Sequence, residues 1–174
     1  MKITKYGVTL QRLTEDKIEM VRNWRNDPKI SRNMEFRDYI TPEMQKKWFK
    51  GINDIHNYYF IIKYEGKEVG LTNVRDIDYE KMQGEGGIFI YNDDYRNTDL
   101  VFRVTLCQND YFFEKMKFKR FIGRILKTNK KAIRYNKVFG AVLLPNQENT
   151  ENQFWTMSCE DYYINRKKII KMIK

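Results

Sequence analysis

The sequence predicts an α/β fold: one domain with a central mixed, mostly antiparallel sheet flanked by helices. Three observations lead there. Apolar residues alternate between a period of two and a period near that of a helix, so strands and helices interleave along the chain. A hairpin signal over 58–76, turning at Glu65-Gly66, sets an antiparallel pair. Later, a strand (86–91), a helix (100–113) and a second strand (121–126) follow one another, and a helical crossover of that kind leaves its two strands parallel.

The elements follow in order. Residues 8–13 alternate and read as a strand. Thr14 caps the helix after it, with Glu15 and Asp16 in its first turn and Ile18, Val21 and Trp24 on one face. Asn26-Asp27-Pro28 ends that helix, because a residue before proline avoids the helical region. Thr41 caps a second helix with Pro42 at its first position; Met44, Trp48 and Ile52 line one side and Phe49 widens it. The hairpin strands are 58–64 and 68–76, and 86–91 extends the meander. Strands at 141–144 and 154–159 are joined by the loop 145–149, and Glu160-Asp161 opens a last helix rich in lysine at its end, as the helix dipole favours. No repeat, linker or low-complexity tract interrupts the 174 residues, so the whole of 1–174 reads as one domain.

Composition narrows the function. A chain 41% hydrophobic and 15% aromatic has enough apolar surface for a core and is unlike a disordered one. Cys107 and Cys159 form no CxxC pair and read as free thiols in a reducing compartment. With a single histidine, His56, they make no metal-binding set, and none is expected. The first residues lack an apolar signal region, and no apolar run approaches the ~20 residues of a membrane span. A cytoplasmic protein with no membrane partner is the expectation. P-loop, GxSxG and Rossmann fingerprints are absent.

The net charge of +10 is unevenly placed. Lys115, Lys117, Lys119, Arg120, Arg124, Lys127, Lys130, Lys131, Arg134 and Lys137 give ten positive charges over 115–137 with no acidic residue among them. Such a field attracts anions. Nucleotide-bearing small molecules are one class, nucleic acid another, and a solvated surface is the plain alternative. No RNP-like pattern or zinc finger supports nucleic acid.

The segment 82–140 carries most of the functional information. Strand 86–91 leads through a polar loop, 92–99, into a helix, so a helix N-terminus stands directly after a central strand. Amides there lack internal partners and the dipole favours anions, which suits the phosphates of a cofactor. A later helix opens at Asn129 and carries Ala132, Ile133 and, at its end, Gly140.

These residues resemble the GNAT superfamily of acyl-CoA-dependent N-acetyltransferases. That family has strand, Arg/Gln-x-x-Gly-x-Gly/Ala, helix, and later Asn-x-x-Ala-x-x-x-Tyr-x-x-x-Gly. Trp24-Arg25-Asn26-Asp27-Pro28, Ile40-Thr41-Pro42 and Trp48-Phe49 look like the branch that acetylates nucleotide-linked amino sugars or protein N-termini. The likeness spans roughly residues 8 to 145. Two slots depart. Asp99 and Val101 stand where the family keeps glycines, and Asn136 stands at the family tyrosine, with Tyr135 one residue earlier and about 100° away around the helix. Either the loop is a divergent one or cofactor binding has weakened.

The resemblance implies acetyl-CoA as donor and a small amine as acceptor, and it is compatible with a homodimer. It implies that backbone of Ile88, Phe89 and Ile90 meets the thioester and that Arg96, Asn97 and Thr98 hold phosphate. Asn129 would lie near the pantetheine as well as capping its helix. Asn136 would bond the thioester sulfur or the pantetheine arm, a donor but not an acid. Glu85, beginning the strand among Gly84, Gly86 and Gly87, is the candidate base, or an exposed turn glutamate. Arg25 and Asn26 would shape the acceptor pocket, and Met34 and Phe36 lie in the loop that covers it in the family, or anchor that loop. The alternative function is a non-catalytic module of the same fold whose basic face holds an acidic partner or RNA.

Overall fold

Tyr58–Tyr64 (β3) and Lys67–Asp78 (β4) form the foreseen hairpin, and every other strand is added to it. In the computed structural model, which describes residues 1–173, the remaining strands are Lys2–Lys5 (β1), Val8–Arg12 (β2), Gln83–Ile90 (β5), Arg120–Leu126 (β6), Val142–Leu143 (β7) and Asn152–Ser158 (β8). They make an 8-stranded sheet in the order β1-β2-β3-β4-β5-β6-β8-β7. Only β5 and β6 pair in parallel. The helices are Ile18–Asn26 (α1), Pro28–Ser31 (α2), Pro42–Ile52 (α3), Leu100–Glu114 (α4), Lys130–Val138 (α5) and Cys159–Met172 (α6). This is the mixed, mostly antiparallel sheet with flanking helices that the sequence predicts.

Strand alternation splits the apolar residues between two faces. Ile61 and Leu71 turn toward Ile18, Val21, Trp24 and Phe49 of α1 and α3. Phe60, Ile62 and Val74 turn toward Leu100, Val104, Cys107 and Phe112 of α4 and Tyr162 and Ile169 of α6. Caps set the helix starts. Thr41 accepts from the Met44 amide (3.2 Å), Asn129 from Ala132 (3.1 Å) and Ser158 from Asp161 (3.0 Å).

Local differences from the sequence reading have simple causes. Thr14 donates to the Asp16 carboxylate instead of capping a backbone amide, and a 3-10 turn, Glu15–Lys17, precedes α1. Asp27 does end α1, but it also accepts from the Lys29 amide and starts α2, with Pro28 at its first position. Ser158 caps α6, so Cys159 begins a helix rather than ending a strand. Strand β1 was not foreseen. It pairs with β2 across a turn whose Tyr6 and Gly7 both have positive φ, a two-residue hairpin geometry. Among the described residues no helix is long and apolar enough to cross a membrane, and no group of His, Cys, Asp and Glu is arranged to hold a metal.

One buried carboxylate ties distant elements together. Asp110 of α4, with its side chain 1% exposed, accepts from Lys5 and Tyr6 at the β1–β2 turn. It also accepts from Tyr162 (2.7 Å) and from Arg166 (2.7 and 2.8 Å) on α6. Burial alone would raise its pKa, but the bonds from Arg166, Lys5, Tyr6 and Tyr162 outweigh it and hold it at about 2. A depressed carboxylate stabilises the fold above its unfolded pKa and loses that contribution as pH falls through the folded value. The expected loss is about 2 kcal/mol between about pH 4 and pH 2. Asp110→Asn should show a flatter acid limb in denaturant unfolding. Asp110→Ala should cost about 2–3 kcal/mol at neutral pH, because it removes the acceptor of the half-buried Arg166 and of the buried Tyr162 hydroxyl.

Candidate active site

The parallel pair β5–β6 is short. It holds for Gln83↔Arg120, Gly84↔Phe121 and Glu85↔Ile122 and then opens. Beyond it, β5 continues to Ile90 alongside β4, while β6 continues to Leu126 alongside β8. A wedge-shaped gap results. The Met82 carbonyl accepts from the Lys119 amide (2.7 Å) on the β6 side, and the Tyr91 amide donates to Val69 (2.8 Å) on the β4 side. Alternation between those two points turns the backbone groups of Gly86, Ile88 and Ile90 into the gap and those of Phe89 away from it. The Phe89 side chain lies edge-on to Trp24, ring centroids 6.4 Å apart. An unpaired strand edge of this kind offers alternating donors and acceptors to an extended ligand.

The start of α4 overlooks the gap. In the loop before it, Thr98 Oγ1 donates to the Tyr95 carbonyl (2.8 Å) and accepts from the Leu100 amide (3.3 Å). The Asp99 carboxylate is drawn along the helix to Arg103, at 2.8 Å from Nη2, and so does not cover the helix end. The amides of Asp99 and Val101 find no acceptor among the described residues. Arg96 pairs with Asp93 (3.0 Å), and Asn97 accepts from Lys131 Nζ (3.2 Å), which brings α5 to the same mouth. Helix α5 is fastened to α4 by Tyr135. Its hydroxyl bonds Thr105 Oγ1 and the Val101 carbonyl, and its ring meets Phe102 and Phe139. Burial raises the phenol's pKa. Asn136, one position on, donates to the Ala132 carbonyl of its own helix (2.9 Å). Asn129 stays at the cap.

Glu85 stands where the two strands part, on the sheet face covered by α1 and α3. Its carboxylate is 16% exposed and held by two arginines, Arg75 at 2.5 Å and Arg124 at 3.2 Å. A cavity of about 140 Å³ lies beside it, lined by Asp76, Gln83, Gly84, Glu85 and Ile122. Asn73 is on the same face one register step along, opposite Gly87. A Cβ at Gly87 would fall 2.7 Å from Asn73 Oδ1, so only glycine leaves that amide its place.

Arg25 reaches this face from the last turn of α1, half-buried. Asn26 is engaged twice by Ile40, donating to its carbonyl (2.9 Å) and accepting from its amide (2.8 Å), and so pins the loop between them. In that loop Met34 is half-buried and Phe36 is 44% exposed. Between them Glu35 extends to 3.7 Å from Arg124.

The structure thus gathers Ile88, Ile90, Asn97 and Thr98 at the gap and helix end, and Glu85 and Arg25 on the neighbouring face. Phe89, Asn26 and Arg96 have protein partners. Sequence reasoning missed Asn73 and Arg75 and counted Arg124 only as part of a basic run. No sequence signal gave the pairing of Arg75 with Glu85, because the β4–β5 register shifts between Arg75 and Asp78.

A family model for the acetyltransferase (GNAT) domain matches residues 8–142. The chain belongs to the GNAT acetyltransferases. It is therefore an N-acetyltransferase of a family that uses acetyl-CoA. No curated protein matches the sequence. Among solved structures, the chain is similar to FdhC, described as a nucleotide-linked sugar GNAT in its apo form. The TM-score is 0.82 at 18% identity, covering 100% of this chain and 99% of that one. It is also similar to spermidine N-acetyltransferase from Vibrio cholerae in complex with CoA and spermine. There the TM-score is 0.76 at 17% identity, covering 91% and 99%.

In this GNAT chain the Asp99 carboxylate is turned to Arg103, and the amides of Asp99 and Val101 have no acceptor among the described residues. Asp99→Ala should therefore leave acetyl-CoA affinity within about threefold by calorimetry, and lower stability by about 0.3–0.5 kcal/mol for the lost pair with Arg103. A tenfold gain in affinity would show the aspartate to be an obstruction.

Proposed function

We propose that this enzyme transfers the acetyl group of acetyl-CoA to a primary amine, with a nucleotide-linked amino sugar as the acceptor. The observation that carries the reading is the gap between β5 and β6, edged by unpaired backbone groups and topped by free amides of α4. Those features fit an acyl-CoA: a polar, extended arm against a strand edge and a diphosphate at a helix end. When bound, acetyl-CoA supplies the acyl thioester and the thiolate leaving group.

The chain's own residues divide the remaining work. Backbone amides of Ile88 and Ile90, fixed by pairing to β4 on the other side, face the position where an oxyanion develops. The Asp99 and Val101 amides, with Arg96, Asn97, Thr98 and Lys131 around them, hold negative charge. Asn129 and Asn136 line the arm, Asn136 with the amide valences that Ala132 leaves free. Glu85, between the gap and the 140 Å³ cavity, takes the amine's proton directly or through a water, with Arg75 and Arg124 fixing its orientation. The likeness of the whole chain to a nucleotide-linked sugar GNAT supports the sugar acceptor, as does the arginine-rich acceptor face.

Calorimetry with acetyl-CoA at moderate salt tests the donor. A Kd within the range of about 1 μM to 1 mM typical of substrate constants is expected. No heat up to millimolar ligand would remove the reading. Glu85→Gln should lower kcat about a hundredfold in a thiol-release assay while acetyl-CoA affinity holds. A wild-type rate would assign the proton to another group.

A further inference from the structure

Arg25 carries a charge that none of the described residues answers. Its guanidinium is half-buried, yet among the described residues it has neither a hydrogen bond nor a carboxylate partner. Other partly buried arginines have partners: Arg22 pairs with Glu19, Arg75 and Arg124 with Glu85 and Arg166 with Asp110, while Arg12 donates to the Asp54 carbonyl and lies over the Tyr58 ring. Removing a cation from water without a partner is costly, and the cost falls only when an anion arrives.

The surroundings sharpen this. Burial lowers the pKa of Arg25, Tyr59 opposes that, and the nearby Arg75 lowers it further, so the neighbourhood is short of negative charge. Glu85 is already shared between two arginines, and Glu35 is exposed. Asn73, on the same face, is half-buried with its amide unbonded among the described residues. Asp76, Gln83 and Glu85 line the cavity, with Arg75 paired to both carboxylates. The carboxylates beside the cavity are thus already paired with Arg75 and Arg124, which leaves Arg25 as the unanswered charge of this face among the described residues.

We infer that the acceptor is an amine that also bears an anionic group, phosphate or carboxylate, and that Arg25 is the residue that binds that group. This rests on the reading of this face as the acceptor side. Arginine suits the task because its planar fork meets both anions in bidentate fashion. Glu85, beside the cavity, takes the amine's proton. A polyamine would set a second cation against Arg25 and is disfavoured by like charge.

Calorimetry on the full chain without acetyl-CoA separates this inference from the enzymatic reading. The probes are glucosamine 6-phosphate, UDP-glucosamine, 2-amino-2-deoxygluconate, glucosamine and spermidine. At least one of the three anionic amines should bind about tenfold more tightly than glucosamine, and spermidine no better than glucosamine. Which arm wins tells phosphate from carboxylate. Arg25→Met should abolish the preference with acetyl-CoA affinity unchanged, and Arg25→Lys should restore part of it. Equal binding of charged and neutral amines by the wild-type protein, or a preference that survives in Arg25→Met, would overturn the inference. Acetyl-CoA binding, measured in its own titration, judges the donor reading independently.

Discussion

The parting of β5 from β6 after three residue pairs is the constraint on which the rest of this molecule turns. Each strand is committed elsewhere, β5 along β4 as far as Ile90 and β6 along β8 as far as Leu126. The sheet is in effect two sheets joined at Gln83, Gly84 and Glu85. The joint is tight. A Cβ on Gly84 would lie 2.9 Å from Val74, 3.2 Å from Ile77 and 3.2 Å from Phe118, so no larger residue fits without moving the core on the α4 side. Because twist accumulates from strand to strand, two halves pinned at one end diverge at the other. The divergence creates the unpaired edge that the site uses.

A gap is useful only if its rim is fixed, and the helices supply that. Asp110 fastens the middle of α4 to α6 and to the β1–β2 turn, while Tyr135 fastens α5 to the first turns of α4. The loop between β5 and α4 spends its polar side chains on itself. Asn92, Thr98, Asp99 and Arg96 all close short local bonds, which holds the loop in one shape and leaves amides, not side chains, pointing outward. The Asp99 carboxylate is likewise drawn toward Arg103.

The fold was legible because its signals are local and repeated. Alternation in Tyr58–Tyr64, the Glu65-Gly66 turn and the crossover through α4 each specify one step of the topology. Strand β1 was not, since Lys-Ile-Thr-Lys is a polar edge with only Ile3 packed against the core. At the site, the strand–loop–helix order is enough to locate the gap. It does not reveal that Arg75 faces Glu85, because β4 has a register irregularity between Arg75 and Asp78, with Asp76 at positive φ. The basic run misleads for a related reason. In sequence it is one block, but β6 sets Lys115, Lys117 and Lys119 roughly 20 Å from Lys127, Lys130 and Lys131, and turns Arg124 inward to Glu85.

Glu85 has to serve both sides of this arrangement. As the residue opposite Arg75 and beside Arg124, it neutralises two cations that would otherwise repel each other across the joint. In the proposed reaction it also takes the amine's proton. Protonation removes the single charge that both arginines share, so the proton taken from the amine has to pass on to water before the two ion pairs re-form. The same allocation explains why Arg25 is left over. Among the described residues this face holds one buried carboxylate for two arginines, and the third arginine added to it is left without one.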